Sequence, residues 1–248
     1  MRIGMWPLLW ACVSGQAVQA QEMQINEAPY AELKALEPVK ETFQAYPQLS
    51  IWSELRIEKA QIGQMLAGQS LRVRTGRGLD SHWVLEGRRA DVPLSLATGS
   101  EGPIAGVIRD DAFGSYALAG VGPKQTGVGR YWLGTGIVTI LFDDLQCLFG
   151  LRTALDGEQD NIVMREYPEG NLNVILWNEA GEELADFRRY LDRGVVEIGY
   201  IQSAGSYPEI KAVTIQNLDP GGIGIDEILY APMCPMIVSF LPGADRRG

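Results

Sequence analysis

The chain has 248 residues, 46% hydrophobic and 21% charged, enough apolar content for one large domain or two small ones with a real core. Its 31 Asp and Glu outnumber 21 Lys and Arg, and the formal charge of −10 repels polyphosphate and anionic lipid, which argues against nucleic acid as a partner. A single histidine, His82, excludes zinc sites built on two or three imidazoles.

Residues 1–20 read as a cleavable signal peptide: Arg2, the apolar run Met5 to Val13, then Val18-Gln19-Ala20 with small residues at the third and first positions before Gln21. The run falls well short of the roughly 20 residues that span a bilayer and contains Pro7, so no transmembrane segment is expected after cleavage. Lipid attachment at Cys12 fits poorly with Trp10 and the short segment before it. The expected location is secreted or periplasmic.

Residues 21–49 form a lead-in, where Leu33, Leu36, Val39 and Phe43 recur at a helical spacing that Pro38 interrupts, predicting a short kinked helix. From Leu55 the period changes to two, and Gly and Pro punctuate short apolar runs. Strands are predicted over Leu55 to Ile62, Ser70 to Thr75, His82 to Glu86, Gly106 to Arg109, Ile137 to Phe142 and Cys147 to Ala154. They continue with Ile162 to Glu166, Leu172 to Trp177, Val195 to Gln202, Lys211 to Gln216, Gly224 to Tyr230 and Met236 to Phe240. Val138, Ile140 and Phe142 share one face while Thr139, Leu141 and Asp143 share the other, and Val213 and Ile215 likewise oppose Thr214 and Gln216. Residues 50–241 are therefore expected to be all-β, an antiparallel two-sheet sandwich, followed by a disordered tail over 242–248.

Ala97 to Gly106 and Ala117 to Gly136 are too Gly-rich for regular strands and are expected to be loops, the second carrying Tyr131 and Trp132. Signal cleavage leaves Cys147 and Cys234. In an oxidising compartment these two are expected to form one disulfide, worth roughly 4 kcal/mol by loop closure, with two buried thiols as the alternative.

Chemical motifs are sparse. Asp80-Ser81-His82 holds the residue types of a triad, but neighbours on a strand point to opposite faces, and no Gly-x-Ser-x-Gly elbow occurs. Gly76-Arg77-Gly78 and Gly127-Val128-Gly129 lack the third glycine of a phosphate cradle. The acids of Asp156 to Asn161 alternate like a calcium loop without matching an EF-hand. Around Asn217-Leu218-Asp219-Pro220-Gly221-Gly222 the chain must turn, and the strand after it changes parity between Ile225 and Ile228. A bulge near Asp226 and Glu227 restores the apolar side chains to the core and re-aims the acids, which singles out Asp226.

This last-strand pattern resembles jelly-roll β-sandwich domains of exported bacterial proteins, which are similar to carbohydrate-binding modules. The likeness also draws on Leu55-Arg56-Ile57-Glu58-Lys59-Ala60-Gln61-Ile62-Gly63 and on Val138-Thr139-Ile140-Leu141-Phe142-Asp143 followed by Phe149-Gly150-Leu151. The C-terminal sorting tail frequent in such exoproteins has no counterpart, since Pro235 to Leu241 is too short and Arg246-Arg247 follow. The resemblance implies a jelly roll, a structural calcium shared by Glu58 and Asp226, and a glycan or other envelope component as ligand. Aromatic rings stack on sugar faces, and Tyr131, Trp132, Trp177 and Tyr207 are the ring candidates. The leading expectation is thus an exported, non-catalytic binding domain. The alternatives are a glycoside hydrolase or polysaccharide lyase using paired carboxylates, and a structural envelope protein without a small ligand. Against the first alternative, the Glu-x-Asp-x-x-Glu strand signature of laminarinase-like sandwiches is absent.

Overall fold

The alternation from Leu55 onward becomes strands in the computed structural model, which describes residues 25–48, 50–75, 81–97, 104–123, 133–155, 170–203, 207–218 and 221–234. In chain order the first elements are β1 (Ile25–Ala28), helix α1 (Tyr30–Ala35), β2 (Val39–Thr42), β3 (Ile51–Trp52), β4 (Leu55–Ile57), β5 (Ala60–Gly63), β6 (Ser70–Thr75) and β7 (Ser81–Gly87). They are followed by β8 (Ala105–Asp110), β9 (Ser115–Gly120), β10 (Val138–Gln146), β11 (Leu148–Leu155) and β12 (Leu172–Trp177). The last are β13 (Glu183–Arg189), β14 (Gly194–Gln202), β15 (Ile210–Asn217) and β16 (Ile223–Ala231).

All described ladders are antiparallel. One sheet runs β1-β14-β11-β16-β9-β8-β3 with β2 also paired to β16, the other runs β13-β12-β15-β10-β5-β4, and β6-β7 is a separate hairpin. Inward residues of both sheets share one core: Leu151, Tyr200, Ile225, Ile228 and Tyr230 from the first meet Ile62, Ile140, Phe142, Val174 and Ile215 from the second. The predicted parity of β10 and β15 holds, with Val138, Ile140, Val213 and Ile215 in this core. Thr139 and Thr214 face away from it and bond to each other at 3.0 Å.

The far face of each sheet is covered too. On the first sheet, Gly150 and Gly199 sit opposite each other on β11 and β14. A Cβ at Gly199 would lie 2.9 Å from Leu33, and one at Gly150 would lie 3.1 Å from the Tyr30 ring, so the two glycines leave the trough in which α1 packs. Tyr30 and Leu33 complete that cluster with Leu148, Ile201 and Leu229. The lead-in therefore belongs to the sandwich, adding β1 and β2 to the sheet as well as α1. On the second sheet, Leu66, Leu85, Ala90, Leu94 and Leu96 lie over Leu141, Ile175, Trp177 and Ala212.

Other departures are local. Leu55 to Ile62 is two strands, because Lys59 takes φ 51° in a tight turn that pairs Ile57 with Ala60. Within the expected second loop, Ala117–Gly120 continues β9 beside β8. The turn before β16 carries Gly222 at φ 84°, and the register between β11 and β16 slips at Asp226, where Arg152 faces Glu227 and Thr153 faces Ile225. The bulge is where the parity change required it. The Asn178 to Gly181 turn forms as expected, with the Gly181 amide donating to the Asn178 carbonyl at 3.1 Å. Cys147 and Cys234 form a disulfide. Among the described residues no helix is long and apolar enough to cross a membrane. The expected strands Ile162 to Glu166 and Met236 to Phe240, the Asp156 to Asn161 turn, residues 1–20 and the tail over 242–248 lie outside the described residues.

Candidate functional site

The expected ring candidates separate. Tyr131 and Trp132 lie outside the described residues. Tyr207 is 85% exposed in the connection between β14 and β15. Trp177 is not at the surface where it was expected: it is 1% exposed, packed with Leu66 and Ala90, and its indole Nε1 donates to Thr214 Oγ1 at 3.0 Å. The correction has a plain cause, since a strand end before a polar turn is exposed only if nothing crosses the sheet face, and here residues far away in sequence do.

Asp226 and Glu58 are placed differently. Glu58 is exposed in the β4–β5 turn, and its backbone carbonyl accepts the Tyr230 hydroxyl. Asp226, 6% exposed in the bulge, forms an ion pair with Arg152 and accepts from Gln44 Nε2 at 3.3 Å and Ser115 Oγ at 3.2 Å. Both of its oxygens are thus engaged, one of them by a cation. A calcium ion needs six or more oxygen ligands, and to reach Asp226 it must displace the guanidinium. Among the described residues no three His, Cys, Asp or Glu side chains gather closely enough to hold a metal. The donor set at Asp226 does not fit calcium. Excess calcium or chelator is accordingly expected to leave the melting temperature unchanged, whereas Asp226→Ala lowers it by removing the Arg152 pair. A calcium-dependent rise lost in Asp226→Ala would reverse that assignment.

The neighbouring acid is locked in the same way. Glu227, 4% exposed, accepts from the Tyr30 hydroxyl at 2.8 Å and pairs with Lys40 and, at 3.4 Å, with Lys34. Burial pushes its pKa up, but the Lys40 and Tyr30 hydrogen bonds and the charges of Lys40 and Lys34 outweigh it, leaving the carboxyl below its ordinary 4.5. Burial and the same carboxylate drive the Tyr30 hydroxyl well above its ordinary value. These contacts clamp the lead-in to β16. Because the folded pKa of Glu227 lies below the unfolded one, its stabilisation is complete above about pH 4.5 and is lost as pH falls through the folded value. Asp186, whose pKa is also lowered, acts in the same sense, and Glu41, raised by burial, acts in the opposite one. Urea titrations at descending pH should show this acid-side slope reduced in Glu227→Gln, and an unchanged slope would remove the clamp. The two lysines are about half exposed, so the loss at neutral pH is expected to be only about 1–2 kcal/mol.

A different group of residues lines an opening on the outer face of the second sheet. Arg188, Asn173 and Gln216 are lateral neighbours on β13, β12 and β15. The β6–β7 hairpin passes above them, and the Gln216 side-chain oxygen accepts the Leu85 amide at 2.8 Å, pinning the hairpin to the sheet. Between the layers is a cavity of about 120 Å3 lined by Arg72, Arg74, Arg88, Arg188, Asn173 and Gln216 among others. Arg72 and Arg74 share one face of β6 because side chains two apart do. Asn173 is 5% exposed, and its Oδ1 is buried without a hydrogen-bond partner.

Two carboxylates brace the arginines. Arg88 Nη1 bridges Glu183 at 2.7 Å and Asp186 at 2.8 Å, and Arg188 holds Asp186 through Nε at 3.2 Å and Nη2 at 2.9 Å. Burial opposes the Arg88 charge, yet Asp186 and Glu183 raise its pKa above the ordinary arginine value. For Asp186, burial is outweighed by Arg188 and Arg88, which keep it ionised. His82, opposite Arg74 on β7, is 1% exposed, and burial followed by the Arg74 charge lowers its pKa to about 4. It is neutral at physiological pH and out of reach of solvent.

No family model matches this chain, and no curated protein does. Among solved structures it is similar to a fucose-binding module of Streptococcus pneumoniae at 13% identity and a TM-score of 0.25, covering 40% of this chain. The chain spans 65% of that module's length. It is also similar to a variant of a family 29 carbohydrate-binding module (12% identity, TM-score 0.29, covering 66% of this chain and 92% of the other). A further family 29 module matches at 11% identity and a TM-score of 0.28, over 69% of this chain and 98% of the other.

Proposed function

We propose that this chain is an exported, non-catalytic jelly-roll sandwich that binds a glycan at the open end of its second sheet. The observation that carries the reading is the buried, unpartnered Asn173 acceptor beside Gln216 in a cavity roofed and walled by guanidinium groups. A buried acceptor without a donor is costly, and a ligand hydroxyl removes that cost. The donors around it match the other lone pairs of a polyol. Strands on three sides hold these groups in place, as a specific site requires.

Catalysis by paired carboxylates finds less support. Asp226 and Glu227 are adjacent buried acids, but Asp226 is paired with Arg152 and Glu227 with Lys34 and Lys40. General acid catalysis needs a carboxyl held protonated near its working pH, and the pKa of Glu227 moves the other way. Export is supported by the signal-like first twenty residues and the disulfide.

Affinity electrophoresis of the full chain through gels containing single soluble polysaccharides tests the reading. Retardation is expected for at least one of them, and Asn173→Ala should abolish it while leaving thermal unfolding within a few degrees of the parent. Binding that persists in Asn173→Ala, or no retardation across plant, fungal and bacterial polysaccharides, would overturn the assignment.

A further inference from the structure

We infer that the cavity between the β6–β7 hairpin and the second sheet takes an oxyanion, a carboxylate or sulfate substituent borne by the ligand. The inference rests on the glycan reading for the ligand's scaffold but on separate residues for its charge. Four arginines line this one cavity, in a chain whose net charge is −10. Glu183 and Asp186 hold Arg88 and Arg188 beside the cavity, and Arg72 adds its charge to the same lining. The carboxylates fix the Arg88 and Arg188 forks in position and leave other N–H groups of both guanidiniums for a second acceptor. Arg72 forms no ion pair with any described residue and is exposed at the cavity.

Size narrows the ligand further. Pockets that enclose a whole small molecule are about 300–1,000 Å3, whereas this one is about 120 Å3. It admits a charged substituent and the hydroxyl beside it, not a whole sugar ring. The ring would lie outside, over the exposed edge of the hairpin, with the charged group against the arginines and an adjacent ring hydroxyl donating to Asn173 Oδ1. A uronate carboxylate and a sulfate ester share this chemistry, and guanidinium forks bind both in a bidentate manner.

Titration calorimetry of the full chain with an acidic polysaccharide, its carboxyl-reduced neutral derivative, a sulfated polysaccharide, and free glucuronate and sulfate separates the possibilities. The acidic or the sulfated polymer is expected to bind on the order of tenfold more tightly than the neutral one, the usual weight of one charge-assisted hydrogen bond. Arg72→Ala should lose about the same factor with no change in melting temperature, and rising salt should weaken the parent more than the variant. Whichever polymer wins identifies the substituent. Equal binding of the neutral derivative, unaffected by Arg72→Ala, would overturn the anion inference and leave the glycan reading intact. Binding of free glucuronate or sulfate, lost in Arg72→Ala, without binding of any polymer would support the anion pocket and overturn the glycan reading. Binding of none of the five probes would overturn both.

Discussion

Replacing Trp177 by alanine is expected to lower the unfolding free energy by about 4 kcal/mol, within the range for deleting a fully buried aromatic side chain. The indole is 1% exposed and fills the space between the second sheet and its cover, against Leu66, Ala90, Leu141, Ile175 and Ala212. Little of that space can collapse, because strands β10, β12 and β15 hold its floor in register. The indole also starts a hydrogen-bond chain, donating to Thr214, whose hydroxyl meets Thr139, which donates on to the Gln64 carbonyl at 3.0 Å. Urea unfolding followed by the remaining tryptophans measures the loss. A ligand-contacting tryptophan would give the opposite pattern, a change under about 1 kcal/mol with binding abolished. That result would restore Trp177 to the binding face and require the cover to open.

The fate of Trp177 shows where reading the sequence stops. Period-two patterns are local, so β6, β12 and β15 were legible almost to the residue, and the parity break in β16 located the bulge. β13 went unread because Glu183, Asp186 and Arg188 look like turn acids and solvated charges until Leu184 and Phe187 are seen to pack inward. The two short strands of the lead-in carry too few residues to show a period, and they exist because β14 and β16 offer partners. Burial of both faces of the second sheet erases the polar-out alternation that marks a half-exposed strand, as in β12, which is buried throughout. Part of the arginine cavity was nonetheless readable. Arg72 and Arg74 stand two apart on a predicted strand of an acidic chain, a signal for one basic face. That Arg88 and Arg188 join them depends on pairing between segments about a hundred residues apart, which no local pattern encodes.

The same contrast separates the two acidic motifs from the basic one. Asp226 and Glu227 drew notice as acids re-aimed by a bulge, and the fold uses them to hold Arg152, Lys34, Lys40 and the Tyr30 hydroxyl. Each buried charge there meets its counter-charge, so nothing is left for a ligand to satisfy. At Asn173 the accounting does not close, and an open account in a rigid setting is the better indication of a site.

Removing the disulfide, as Cys147→Ala with Cys234→Ala, is expected to cost about 4.5 kcal/mol by the loop-closure relation for a sequence separation of 87. The fold should survive the loss. The Cys147 amide donates to the Ala231 carbonyl at 2.7 Å and its carbonyl accepts from the Gln202 amide at 2.9 Å, so the β11 edge is tied to both neighbours without the bridge. The effect therefore falls on the unfolded chain, which regains the freedom of a long loop, and not on native contacts. Urea unfolding with and without a thiol reductant checks this. The parent under reducing conditions should fall to the stability of the double variant, and the variant should not respond to reductant. A parent indifferent to reductant would mean that the two sulfurs are not paired in solution. If the expected loss is found, a large part of a typical domain's 5–15 kcal/mol depends on an oxidising compartment, which ties the stability of this sandwich to its redox surroundings.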